Sequence, residues 1–181
     1  MTIAWLSGSS DPRRCALSPA ETALLEAAAG GRRVVRANFP WPDRPGPFRT
    51  VALPLASVRN AVQFWRARLS RRYRAFVATR IMCLPGDGDL LLITGSQGLE
   101  LLRLAWPLLG DTGRIRVVAL GPVAGRLPAG LRPVVIRSST DVVSRLGWRG
   151  RVDVRCAAGH LDYAAEPQVR AAVADAVGAA R

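Results

Sequence analysis

The chain has 181 residues, 49% of them hydrophobic, with 13 prolines and 17 glycines, which is enough apolar material for a single domain over residues 1–181 with its own core. Its formal charge of +13 comes from 26 basic side chains, every one an arginine. Without lysine there is no Walker A phosphate loop, no Schiff base and no lysine general base, and one histidine, His160, excludes a His-rich metal site.

No apolar run reaches the length of a membrane span, and the start "MTIAWLSGSS" has neither a basic n-region nor a long apolar stretch. The expectation is a cytoplasmic protein with no membrane span and no cofactor. Three cysteines, Cys15, Cys83 and Cys156, are odd in number and share no metal-like spacing, as expected of reduced thiols.

In chain order, "TIAWLSG" (2–8) reads as a first strand. In "SPAETALLEAAAGG", Ser18 is the N-cap of a helix, Pro19 its first residue, Glu21 the capping-box partner and Gly30 the stop. "RRVVRANF" is a second strand, and the proline-rich "PWPDRPGPFRTVALP" an extended surface loop. Ser57 then caps a long amphipathic helix with Val58, Val62, Trp65, Leu69 and Phe76 along one face.

Turn-forming "PGDG" leads into the apolar run 90–93, which reads as a buried parallel strand. That strand ends in "TGSQG", and "LELLRLAW" continues as a helix from about residue 99. "RIRVVALG", "RPVVIRS" and "RVDVRCAA" are three further strands, and "EPQVRAAVADAVGAA" is a last helix. Six strands alternating with helices predict an α/β three-layer sandwich around a mainly parallel sheet. Connections near residues 121–132 are short and leave no room for a lid or cap domain.

Ligands and catalytic groups gather at the carboxyl ends of such strands. Ser96 follows "LLLIT", Asp141 follows "PVVIRSST" and His160 follows "VDVRCAAG", a nucleophile, an acid and a base in that chain order. Asp111 and Asp162 are weaker substitutes for the acid. On a plainer reading, Ser96 and Asp141 simply cap helices and His160 is structural. "ALSPA" around Ser18 has the same small-x-Ser-x-small form, but no strand precedes it and Pro19 offers no N–H to an oxyanion.

With these residues the sequence resembles the α/β-hydrolase fold family, whose nucleophile elbow is small-x-Ser-x-small and whose triad runs Ser, Asp, His. "TGSQG" departs from the usual elbow by placing Thr94 at the first position. "VVIRSSTDVVSRL" looks like the family's strand and Asp-containing loop, and "CAAGHLDY" like its Gly-His motif before the last helix. Length and the missing cap make the chain similar to the smallest lidless esterases, lipases and thioesterases. The resemblance implies a serine hydrolase of an ester or thioester, carrier-bound or free, through an acyl-enzyme at Ser96.

It also implies an oxyanion hole built from the Gln97 N–H and a donor of the loop "SGSSD", Ser9 first and Ser10 second. Trp41 and Phe48 either contact substrate or anchor their loop. Two rival readings remain: a hydrolase-like binding scaffold without turnover, and an arginine-driven nucleic-acid binder. Against the latter, the arginines are spread along the chain and the densest cluster, "RARLSRRYR", reads as a solvated helix face.

Overall fold

The apolar run 90–93 forms the middle of strand β3 (Leu90–Gly95), buried along its whole length, in a computed structural model that describes residues 1–11, 13–41, 46–86 and 88–178. β3 pairs in parallel with β1 (Thr2–Leu6) on one side and β4 (Ile115–Leu120) on the other. Beyond β1 lies β2 (Arg33–Phe39), and beyond β4 lie β5 (Val134–Ser138) and β6 (Val154–Cys156). The resulting six-stranded sheet, order β2-β1-β3-β4-β5-β6, is parallel at every pairing. It brings the carboxyl ends of all strands to one edge, where a site can assemble.

Two apolar layers sandwich the sheet because alternate residues of each strand point to opposite faces. Ile3, Trp5, Leu91 and Ile93 meet α1 (Pro19–Ala29) and α6 (Pro167–Gly178) through Leu24, Leu25, Val169 and Val173. Ala4, Leu6 and Leu92 face α2 (Leu53–Leu69), α3 (Arg71–Met82) and α4 (Gly98–Ala105) through Ala67, Val77, Ile81 and Leu99. The three-layer α/β sandwich expected from the sequence is present. Among the described residues no separate cap domain is inserted, and no helix is long and apolar enough to cross a membrane.

Local signals explain the first helix in full. Ser18 accepts from the Glu21 N–H and Glu21 Oε2 accepts from the Ser18 N–H, the reciprocal capping box, and Gly30 ends the helix at φ 49°. The next helical region departs from the sequence reading. Ser57 lies inside α2 rather than capping it; the helix begins at Leu53 with Pro54 in its first turn. It ends at Ser70, which is extended (φ −108°, ψ 112°) and caps α3 by accepting from the Tyr73 N–H.

The face read as apolar also turns the other way. Val58, Val62, Trp65 and Leu69 are exposed, whereas Gln63 and Asn60 on the far side of α2 reach the loop after β1 and the turn after β3. Periodicity defines a stripe but not which side of the helix the protein covers. In the loop read over residues 40–54, residues 42–45 lie outside the described part, and residues 46–50 are exposed.

Candidate active site

Ser96 stands between β3 and α4 with φ 49°, and among the described residues no other non-glycine has a positive φ. A serine has no intrinsic preference for this conformation, so the surrounding structure must hold it there. Two close approaches do so. A Cβ at Gly98 would run into the Leu6 carbonyl oxygen, so α4 can start this near β1 only with glycine. On the other side the Val123 N–H donates to the Ser96 carbonyl at 3.0 Å, and the Ser96 N–H to Leu120 O at 3.0 Å. Thr94, at the first elbow position, is buried with its hydroxyl 3.4 Å from Val118 O.

The sharp turn lifts the Ser96 hydroxyl to the strand-end edge, where His160 Nε2 lies 3.1 Å from Oγ. The other ring nitrogen, Nδ1, is 2.8 Å from Asp141 Oδ2 and 3.0 Å from Oδ1. A carboxylate only accepts, so Nδ1 carries the proton and the Nε2 lone pair faces the serine. Asp141 follows β5 and His160 follows β6, so adjacent strand ends bring together residues 64 and 19 positions apart. Asp111 and Asp162, the weaker substitutes, have no such contact: Asp111 accepts from the Gly113 N–H in its own turn.

Asp141 is buried and fully engaged. Its Oδ1 accepts from the Ser144 N–H at 3.0 Å, so it also caps the short helix α5 (Val142–Gly147), and its Oδ2 accepts from the Tyr163 hydroxyl at 2.9 Å. The Tyr163 oxygen in turn accepts from the Ser138 N–H at 2.8 Å. Burial raises the Tyr163 pKa, against the opposing Ser138 contact and helped by the neighbouring Asp141 charge, so the phenol stays protonated and keeps donating. Sequence reading missed Tyr163; it follows His160 by three residues, but nothing local reveals that its hydroxyl turns toward Asp141.

The loop after β1 is held from three sides. Asn38, at the end of β2, accepts from the Ser7 N–H and donates to Gly8 O at 2.9 Å. Trp41 Nε1 donates to Ser7 O at 2.9 Å, so this ring anchors its loop, while Phe48 is exposed. From α2, the Gln63 carboxamide pairs with the Ser9 peptide: the Ser9 N–H donates to Oε1 at 2.9 Å and Nε2 donates to Ser9 O at 2.6 Å.

The Ser9 N–H, the first donor expected of this loop, is engaged by Gln63 Oε1, because α2 lies over the loop, a placement the sequence does not encode locally. Gln97, the residue after Ser96, is buried, and its side chain donates to Asn60 Oδ1 and Gln63 Oε1 at 3.2 Å each. A Cβ at Gly8 would meet the Gln97 and Asn60 carboxamides, so a larger residue there would have to displace both.

Beneath the elbow, Glu100 is buried and receives Arg103 at 2.6 and 2.8 Å, Arg68 at 2.7 Å and the Gly125 N–H at 2.9 Å. Burial alone would push its carboxyl up, but these hydrogen bonds outweigh it and hold the group below its ordinary value. Glu100 thereby ties α2, α4 and the loop after β4 together. A cavity of about 810 Å³ lies between residues 124–135 and 146–153, lined by Leu127, Leu131, Val135 and Trp148 and by none of the three strand-end residues. Among the described residues no cluster of His, Cys, Asp or Glu could hold a metal ion.

The sheet order, the strained Ser turn after β3, and Asp141 and His160 after β5 and β6 together are the α/β-hydrolase fold. No family model and no curated protein matches the sequence. Among solved structures, the chain is similar over 97% of its length to 75% of a Trichoderma reesei cutinase in complex with a phosphonate inhibitor (19% identity, TM-score 0.49). It is similar over 98% of its length to 81% of a Xanthomonas campestris α/β serine hydrolase without a lid (18% identity, TM-score 0.46). A Mesorhizobium loti carboxylesterase is similar over 88% of its chain and 98% of this one (18% identity, TM-score 0.44).

Proposed function

We propose that the protein is a serine hydrolase that cleaves an ester or thioester through an acyl-enzyme on Ser96. The observation that carries this reading is the continuous relay from the Ser96 hydroxyl through His160 to a buried Asp141, starting at a serine held at φ 49°. His160 Nε2 takes the hydroxyl proton as Oγ attacks the acyl carbon, and Asp141 stabilises the imidazolium and fixes its orientation. His160 then returns the proton to the leaving alcohol or thiol. Water attacks the acyl-enzyme by the same route in reverse order, releasing the acid and restoring Ser96.

The developing oxyanion needs two donors about 3 Å away. The Gln97 N–H, at the start of α4, is the first. For the second, Ser9 serves once the substrate oxygen displaces Gln63 Oε1, with Ser10 as the alternative. The engaged Ser9 N–H is also the observation that favours the rival reading, a binding scaffold of the same fold without turnover. Assaying p-nitrophenyl esters of rising chain length beside acyl thioesters separates the two. A hydrolase turns over at least one series and loses it in Ser96→Ala; a scaffold turns over none.

A further inference from the structure

On the outer side of α2, Leu55, Val58, Val62, Trp65 and Leu69 are 46%, 62%, 60%, 56% and 81% exposed. Their spacings of three, four, three and four residues put them in one line along the helix. The opposite side of α2 is fully used, with Gln63 on the Ser9 peptide, Asn60 on Gln97, and Ala67 in the core. The stripe lies outside the buried core, with the Trp65 ring against Phe64 and Arg68 of its own helix, and five aligned large apolar side chains in water are costly to keep.

Charge singles out the same region. No aspartate or glutamate occurs between Asp43 and Asp87, while α2 and α3 carry seven arginines. Three of these are occupied inside the protein, Arg59 by the Ser10 carbonyl, Arg68 by Glu100 and Arg80 by the Pro40 and Trp41 carbonyls. Arg66, Arg71 and Arg72 are exposed. Arg71 and Arg72 sit in the first turn of α3, immediately beyond Leu69, where the helix dipole disfavours cations. Neither folding nor helix stability accounts for them there.

We infer that this outer face of α2, with the first turn of α3, docks on an anionic lipid bilayer. A ridge of apolar side chains edged by arginines matches a layer of phosphates over hydrocarbon: the stripe enters, Trp65 sits at headgroup level and the arginines meet the phosphates. A second copy would bring two arginine-edged stripes and two charges of +13 together. Nucleic acid would pair with the arginines and leave the stripe in water. Lying flat, the 17-residue helix covers about 25 Å of membrane and holds the loop of Ser9 about one helix diameter from it. Given the hydrolase reading, the substrate is then an acyl ester delivered from that surface; the docking itself does not depend on that reading.

The test is flotation of the full chain with vesicles of phosphatidylcholine alone and of phosphatidylcholine with one-third phosphatidylglycerol, at low and high salt. Binding is expected only to the anionic vesicles and to weaken with salt. Trp65→Ser with Leu69→Ser is expected to lower the partition coefficient roughly a hundredfold, about tenfold per large side chain, and Arg71→Glu with Arg72→Glu to abolish the preference for anionic lipid. Circular dichroism must show each variant folded; where one is not, Trp65→Ser alone is read. Ser96→Ala is expected to bind like the parent, which separates docking from hydrolysis. No binding by the parent, equal binding to neutral vesicles, or binding unchanged by the stripe substitutions would overturn the inference. So would a dimer in solution that these substitutions dissociate.

Discussion

Tyr163→Phe removes one oxygen that serves two buried groups. In the parent, that oxygen donates to Asp141 Oδ2 at 2.9 Å and accepts from the Ser138 N–H at 2.8 Å, and both partner residues are buried. The phenylalanine ring fills the same space, so no cavity term arises. An orphaned buried N–H costs about 1–3 kcal/mol, and a lost hydrogen bond to a charged acceptor about 1.5–3 kcal/mol. The combined loss, about 2.5–6 kcal/mol, corresponds to a fall in Tm of roughly 5–24 °C for a chain of this size. Asp141 keeps the Ser144 N–H and His160, so the relay survives with a less constrained carboxylate, and kcat is expected to fall about tenfold. KM should not change, because Tyr163 acts through Asp141. Thermal denaturation followed by circular dichroism, together with ester kinetics, reads both quantities. A Tm within about 2 °C of the parent and an unchanged kcat would refute the claim that this hydroxyl positions Asp141.

Gln63→Glu places a carboxylate against the Ser9 N–H and beside the developing oxyanion; kcat is expected to fall about a hundredfold, and an unchanged rate would remove Ser9 from the oxyanion hole. Gly98→Ala drives a methyl group into Leu6 O; it should yield insoluble protein or a folded chain whose Ser96 no longer reacts with a phosphonate, and normal labelling would contradict the close approach described. The Glu100 carboxyl lies lower in the folded chain than its ordinary value of 4.5, so the stabilisation it provides is complete above that value and is lost as pH falls through the folded one. Urea unfolding from pH 7 to pH 3 should show this loss, and Glu100→Gln should flatten the curve in that window; equal slopes for the two proteins would show that Glu100 is not its source.

Much of this architecture is legible in the sequence wherever the signal is local. The capping box at Ser18 and Glu21, the turn residues before β3 and the strand–Ser–helix junction at Ser96 each depend on a few neighbouring residues. Asp141 shows that the plain reading does not exclude the geometry the functional one needs, since one carboxylate caps α5 and faces His160. The rest was hidden by distance. Gln63 meets a peptide 54 residues earlier, and Tyr163 reaches the Ser138 N–H 25 residues before it. The apolar period of α2 was visible, but its direction was decided by the polar pair Asn60 and Gln63 packing on the elbow. Ser57 reads as a cap only if Pro54, three residues earlier, belongs to the loop, whereas Pro54 lies in the first turn of α2.

The central claim is that Ser96 is an activated nucleophile, and covalent labelling tests it without knowledge of the substrate. The protein is treated with a fluorophosphonate, digested with trypsin and analysed by mass spectrometry. The account predicts one adduct per chain, on Ser96 within the peptide spanning residues 81–103, lost in Ser96→Ala and strongly slowed in His160→Ala. An unlabelled chain, or an adduct at Ser9, Ser10 or Ser18 that persists in Ser96→Ala, would contradict it.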